Sequence, residues 1–145
     1  MKRILFLLVT CIALASCGQG TAKNDRETVV ADSVKNGVEV LYFHGKRRCA
    51  TCMAIEENTK SVVENRFANE LKTGTVRFRS IDISKDENKQ TAAKYQVTWS
   101  ALFIVKHHDG QETAENLTEY AFAQARKAPD TFKAEIAGKI ANLLQ

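Results

Sequence analysis

The stretch Cys49-Ala50-Thr51-Cys52 constrains the fold of this chain more than any other feature of its sequence. It follows a strongly apolar run at residues 38–43, which is typical of a strand buried on both faces of a partly parallel sheet. Apolar residues at helical spacing come after it, namely Ile55, Val62, Val63, Phe67 and Leu71. The two cysteines are therefore predicted to lie at the start of a long helix that packs on a sheet.

The spacing and surroundings of these cysteines predict a redox-active dithiol. Two cysteines separated by two residues at a helix start can close a small disulfide ring, and free backbone N–H groups and the helix dipole favour a thiolate on the first sulfur. The adjacent cations Lys46, Arg47 and Arg48 favour that thiolate further. We therefore assign Cys49 as the attacking sulfur and Cys52 as the resolving sulfur of thiol–disulfide exchange.

The first residues are interpreted as a secretion signal. Residues 1–16 combine a positive start with an apolar run too short to span a bilayer comfortably, and they end in Leu14-Ala15-Ser16 just before Cys17. This order resembles a bacterial lipobox, and the resemblance implies cleavage before Cys17 and lipid attachment to its sulfur. The other interpretations are a plain secretory signal with a chance cysteine and an uncleaved anchor.

The lipobox resemblance also sets the expected location and domain limits. It implies a protein of the bacterial cell envelope, and because no acidic cluster follows Cys17, we expect the chain to face the periplasm. The small and polar residues 17–26 suit a flexible tether, and residues 27–145 are expected to form one domain.

Cysteine usage is consistent with this assignment. The chain has four cysteines, of which Cys11 lies in the predicted signal and Cys17 is the predicted lipid site. Only Cys49 and Cys52 would then remain as thiols, either as a structural disulfide or as a working pair. A bridge that closes so short a loop removes little entropy from the unfolded chain, so we favour the working pair.

The rest of the chain carries alternating strand and helix signals. The predicted order after the long helix is a strand at 75–84, a helix at 86–95 and strands at 102–105 and 112–117. Thr73-Gly74 ends the long helix, a change of apolar phase at Ser80 would fit a bulge, and Asp109-Gly110 predicts a hairpin turn. Residues 27–34 read as a short helix or strand.

Two further helices are predicted beyond these strands. Thr118 is expected to cap a helix through Arg126, and Pro129 starts another. The second has an apolar stripe that is expected to pack in the core, formed by Phe132, Ile136, Ile140 and Leu143.

This order of elements resembles the thioredoxin superfamily over residues 38–117. The resemblance implies an α/β fold, a thioredoxin-like mixed sheet flanked by helices, here with an extra C-terminal helical segment. Within the superfamily, YFHGKRRCATC at 42–52 and NLTEYAF at 116–122 resemble small bacterial proteins labelled nitrophenyl-compound nitroreductase subunit. No flavin- or nicotinamide-binding fingerprint is visible, so we expect no cofactor besides the Cys49-Cys52 disulfide.

Two departures from the superfamily pattern concern partner binding. Arg48 replaces the usual aromatic residue before the first cysteine, and the proline that normally faces the dithiol is absent. Ser100 or Ala101 takes the place of that proline, depending on a one-residue gap. Trp99, Ser100 and Ala101 are thus expected to form a substrate-facing loop, although Trp99 could equally belong to the core, and a narrow set of partners is expected.

The net charge and the positions of the three histidines further limit the candidate partners and ligands. The formal net charge of +4 falls by two if Lys2 and Arg3 are removed, and no basic block interleaves with aromatic residues, so we expect no nucleic-acid partner. His107 and His108 lie near the hairpin turn and are expected to be solvated. His44 ends a strand beside the dithiol and could tune Cys49 or bind metal.

Two functional classes follow from these observations. The favoured class is a lipid-anchored envelope thiol–disulfide oxidoreductase or electron carrier, with protein dithiols or disulfides as partners and a membrane electron donor as a further candidate. The alternative is a soft-metal or arsenite binding module that uses Cys49 and Cys52, with His44 as a candidate third ligand. No dedicated metal site is predicted.

Overall fold

The computed structural model describes residues 35–145. The predicted signal peptide at 1–16, the lipid site Cys17, the tether at 17–26 and the predicted element at 27–34 lie outside the described residues. In the part that is described, no helix combines the length and the apolar composition that a membrane span requires.

Strands and helices alternate along the described chain. The strands are β1 (Gly37–His44), β2 (Val76–Asp82), β3 (Ala101–His108) and β4 (Gln111–Asn116). The helices are α1 (Ala50–Arg66), α2 (Ala68–Thr73), α3 (Lys89–Lys94), α4 (Thr118–Gln124) and α5 (Pro129–Leu143), and a 3-10 turn covers Asp86–Asn88.

The strands form one mixed sheet in the order β2-β1-β3-β4. β1 runs parallel to β2 and antiparallel to β3, and β3 pairs antiparallel with β4 through the predicted hairpin at Asp109-Gly110. Both turn residues have positive φ, 49° at Asp109 and 77° at Gly110, as a tight hairpin between twisted strands requires. This order and connectivity confirm the thioredoxin-like fold with an additional C-terminal helix.

Two apolar clusters cover the two faces of the sheet. Alternate residues of β1 point to opposite faces, so Val40 and Tyr42 join one cluster while Leu41 and Phe43 join the other. The first cluster includes residues of α1, α4 and α5, and the second includes side chains near the end of α3. β1 is therefore buried from Val38 to Phe43, as predicted for a central strand.

Glu39 is the charged exception within β1. Its side chain is 8% exposed, and its carboxylate lies 3.4 Å from Arg79 Nη1 of β2 and 3.4 Å from His107 Nε2 of β3. The flanking strands thus each bring a basic side chain to the buried carboxylate. The expectation that His107 is solvated was wrong, because its side chain is 12% exposed, whereas His108 is exposed as expected.

Two expectations for the segment after the cysteines were wrong. The long helix ends at Arg66, and α2 begins after Phe67, whose φ of −125° is not helical. Leu71 consequently lies on the surface, 36% exposed, rather than on the buried face. The pairing of β1 with β2 runs without interruption from Val38↔Val76 to His44↔Asp82, so there is no bulge at Ser80.

The change of phase in β2 has another cause. Val76 packs in one apolar cluster and Ile81 in the other, so a strand that alternates regularly places apolar residues on both faces.

Thr118 also differs from its expected role as a helix cap. Its hydroxyl accepts a hydrogen bond from Leu102 N at 3.0 Å, and the Asn116 side chain accepts one from Thr118 N at 2.9 Å.

Candidate redox site

The two cysteines lie at the start of α1, just after the loop that follows β1. Cys49 is the N-cap residue of α1 and Cys52 lies in its first turn, with 5.0 Å between their Cα atoms and a disulfide between their sulfurs. Cys49 is exposed, whereas Cys52 is 7% exposed. An incoming sulfur can therefore reach Cys49, while Cys52 is shielded.

Backbone groups at the helix start favour negative charge on Cys49. Its Sγ accepts a hydrogen bond from Cys52 N at 3.0 Å, in the position that a capping side chain occupies. The first turn of α1 contains no acidic residue that would oppose a thiolate. Once the disulfide is reduced, the free N–H groups and the dipole of this 17-residue helix stabilise the Cys49 thiolate.

The three cations before Cys49 have different surroundings. Lys46 and Arg47 are exposed. Arg48 is partly buried and forms an ion pair with Glu56, one helical turn beyond Cys52. Its guanidinium also lies 5.7 Å from the centre of the Tyr42 ring. The charge of Arg48 is therefore shared with a carboxylate, while Lys46 and Arg47 face solvent beside the reactive sulfur.

Tyr42 of β1 holds the segment that carries the two cysteines in place. Its side chain is fully buried, and its hydroxyl donates a hydrogen bond to the Cys52 carbonyl at 2.8 Å. Burial raises the pKa of Tyr42, and the nearby Arg48 opposes that rise only in part. The phenol thus stays protonated and holds the first turn of α1 against β1. From the sequence, Tyr42 was assigned to the strand and to no role at the site. The one sequence feature that could have indicated such a role is a hydroxyl group within an otherwise apolar run.

Ser100 faces the shielded sulfur from the start of β3. It is 9% exposed, and its hydroxyl donates to Cys52 Sγ at 3.8 Å. Ala101, the other candidate for this place, pairs with Phe43 in the sheet and packs in the second apolar cluster. The structure therefore brings Ser100, and not Ala101, into contact with the dithiol.

Trp99 lies next to this contact but outside the core. Its side chain is 61% exposed, and its ring centre lies 5.4 Å from that of Phe122 in α4. The two rings line an open groove of about 730 Å³, which we call the aromatic groove; its other lining residues are Asn116, Thr118 and Glu119. Since Trp99 precedes Ser100, the groove begins one residue from the disulfide contact.

His44 lies at the end of β1 and forms no hydrogen bond to either sulfur. Its ring stacks on Tyr42 with 6.0 Å between centres, and its Nδ1 lies 3.1 Å from the Gly45 carbonyl oxygen. Within residues 35–145, no group of three or more His, Cys, Asp or Glu side chains is arranged to hold a metal ion. The described residues thus supply the two sulfurs without a third ligand beside them.

Comparisons with known proteins give structural neighbours only. No protein-family model and no curated protein matches the chain. A thioredoxin from Fasciola hepatica is 22% identical, covering 73% of this chain and 83% of that one, with a TM-score of 0.46. The first two thioredoxin domains of Eps1p from Naumovozyma dairenensis are 18% identical, covering 83% and 46%, with a TM-score of 0.44. A malarial protein is 18% identical, covering 61% of this chain and 94% of that one, with a TM-score of 0.40.

Proposed function

We propose that this chain is a thiol–disulfide oxidoreductase that carries two electrons between protein partners through Cys49 and Cys52, attached by lipid to a membrane of the bacterial envelope. The observation that carries the proposal is the disulfide at the start of α1, with one exposed and one shielded sulfur. A structural bridge needs no such asymmetry, whereas a two-step exchange does.

The exchange starts from the disulfide form with a reduced partner. A partner thiolate attacks Cys49 Sγ, the bond between Cys49 and Cys52 breaks, and Cys52 leaves as a thiolate that Ser100 can hydrogen bond. A second partner thiolate then attacks the partner sulfur bonded to Cys49, and Cys49 leaves as a thiolate at the helix start. The partner becomes a disulfide, and this chain gains two electrons and two protons. The reverse sequence reduces a partner disulfide.

Trapping the mixed disulfide tests this chemistry. In a Cys52→Ser variant, Cys49 should attack an oxidised partner by the reverse sequence and stay bonded to it, because no Cys52 thiol remains to displace the partner. Cys49→Ser is the matched control and should trap much less, because the remaining sulfur is shielded. The adducts are separated without reductant and identified by mass spectrometry. Equal trapping on both variants, or none on either, would contradict the proposal.

The lipid anchor is proposed from the sequence around Cys17 and from the small polar tether after it. Multiple acyl chains would hold the domain stably at a membrane surface, whereas one chain gives only marginal binding. A Cys17→Ser variant should stay unprocessed and unlabelled by radioactive palmitate, while Cys11→Ser should be processed normally. Normal labelling of the Cys17→Ser variant would reject this part of the proposal.

A further inference from the structure

The surface around Cys49 has a basic side that is not neutralised by the domain. Lys46 and Arg47 are exposed, and neither forms an ion pair with any residue between 35 and 145. Arg48, the next residue, pairs with Glu56 and does not add to this patch. Two unpaired cations therefore lie within three residues of the exposed sulfur, and we call them the basic rim.

The surface beside Ser100, which contacts the other cysteine of the pair, is apolar and carries a carboxylate. The aromatic groove begins at Trp99, beside the contact of Ser100 with Cys52, and its exposed carboxylate is Glu119. An apolar surface with a polar border is typical of a binding site on a soluble domain. The disulfide is thus preceded in the chain by the basic rim and contacted by the residue that follows the aromatic groove's Trp99, and these two surfaces select for different chemistry.

We propose that the redox partner docks as an extended segment with acidic residues beside its cysteine, which face Lys46 and Arg47, and an apolar side chain that enters the aromatic groove at Trp99. This inference rests on the proposed function and names the partner's chemistry. Opposite charges beside the reacting sulfurs raise the encounter rate, and the groove adds contact area that depends little on salt. A basic segment would be repelled at the place where the sulfurs must meet.

Synthetic peptides can test the charge preference directly. The probes are Asp-Asp-Cys-Leu, Ser-Ser-Cys-Leu and Lys-Lys-Cys-Leu, each with its cysteine bonded to 5-thio-2-nitrobenzoate. The full chain carrying Cys52→Ser attacks the peptide sulfur through the Cys49 thiolate, a bond forms between Cys49 and the peptide, and the nitrobenzoate thiolate leaves with the bonding electrons. Its absorbance gives the rate, and a Cys49→Ser/Cys52→Ser double variant corrects for other cysteines.

We expect the acidic peptide to react at least about tenfold faster than the basic peptide at low ionic strength. The ratio should approach one near 1 M salt, where the screening length falls to about 3 Å. Adding Lys46→Ser and Arg47→Ser should remove the preference. Adding Arg66→Ser and Lys72→Ser removes the same charge far along the helices and should leave the preference unchanged.

The basic rim could also act by activating Cys49, so each rate is divided by the rate with the nitrobenzoate disulfide of 2-mercaptoethanol. A loss of activation lowers both rates and leaves their ratio unchanged, whereas a loss of docking lowers the ratio. Trp99→Ala should slow Asp-Asp-Cys-Leu severalfold but not Asp-Asp-Cys-Gly. Equal normalised rates for all peptides, or no effect of Trp99→Ala, would overturn this inference alone. No reaction with any probe would overturn the oxidoreductase on which it rests.

Discussion

Ser100 is the side chain that reaches the shielded sulfur from across the site, with 3.8 Å between its Oγ and Cys52 Sγ. A hydroxyl bonds more strongly to a thiolate than to a disulfide sulfur, because the acceptor is then charged. Ser100 therefore stabilises the reduced form of the pair relative to the oxidised form. The proline expected in its place by resemblance could not do this, since it has no donor.

Ser100→Ala should make the reduction potential of the Cys49-Cys52 pair more negative by about 10–30 mV, because losing one weak hydrogen bond costs the reduced form roughly 0.5–1.5 kcal/mol. Equilibration with reduced and oxidised glutathione measures the shift. Ser61→Ala, farther along α1, is the control and should leave the potential unchanged. A more positive potential in Ser100→Ala would show that its hydroxyl favours the disulfide instead.

The reduced cysteines should differ in reactivity. Cys49 is exposed at the helix start and Cys52 is shielded, so iodoacetamide should modify Cys49 at least about tenfold faster near neutral pH. Replacing Lys46 and Arg47 together should slow this reaction more than Arg48→Gln, because Arg48 is already paired with Glu56. Peptide mapping after short exposures gives both rates. Faster modification of Cys52 would reverse the assigned roles.

At the scale of elements, β1 carries both the core and a buried charge. Glu39 lies between Arg79 of β2 and His107 of β3, and both basic groups approach its carboxylate within 3.4 Å. Removing one partner of a buried pair leaves a charge without compensation, whereas removing both often costs little. This interaction thus joins the three strands, and stability should fall most when only one of its charged partners is removed.

Arg79→Leu should lower the free energy of unfolding by about 1–3 kcal/mol, since Glu39 would keep only His107 beside it. The Glu39→Leu/Arg79→Leu double variant should recover most of that loss, because the apolar pair can pack in the sheet. Urea unfolding of the full chain measures both. A double variant as unstable as Arg79→Leu would assign the effect to lost packing of the arginine rather than to the buried charge.

The elements themselves were largely predictable, because strand and helix periods are local properties of the sequence. The apolar run of β1, the turn at Asp109-Gly110 and the start of α5 at Pro129 were all confirmed. The break at Phe67 was not predictable, since its apolar side chain fits the helical pattern while its backbone leaves the helix. The absence of a bulge at Ser80 was not predictable either, because it depends on how β2 pairs with β1, a strand far away in the sequence.

At the scale of the whole molecule, the candidate site combines three distant segments. The dithiol and the cations before it are contiguous, so spacing alone identified them. Tyr42, Glu56 and Ser100 come together only when β1, α1 and β3 pack, and no period in the sequence pairs them. The resemblance narrowed the third segment to Ser100 or Ala101, and the register of β3 against β1 resolves which one meets the sulfur.

Two phenols make the folded chain sensitive to alkali. Burial raises the pKa of Tyr42 above its ordinary value of 10.0. Burial also raises the pKa of Tyr95, and its hydrogen bond to Glu112 at 2.8 Å adds to the rise. Both groups keep their proton in the fold at a pH where the unfolded chain has lost it. The stability they contribute is therefore fully present below about pH 10 and lost as pH rises further.

The free energy of unfolding should consequently fall between about pH 10 and about pH 12, by at most about 1.4 kcal/mol per pH unit for each phenol. Urea unfolding at several pH values measures the slope. Tyr95→Phe should be less stable than the wild type near neutral pH, because it lacks the bond to Glu112, yet it should lose less stability in alkali. The Tyr42→Phe/Tyr95→Phe double variant should show the smallest slope. An equal slope in the wild type and the double variant would show that these two phenols do not cause the alkaline loss.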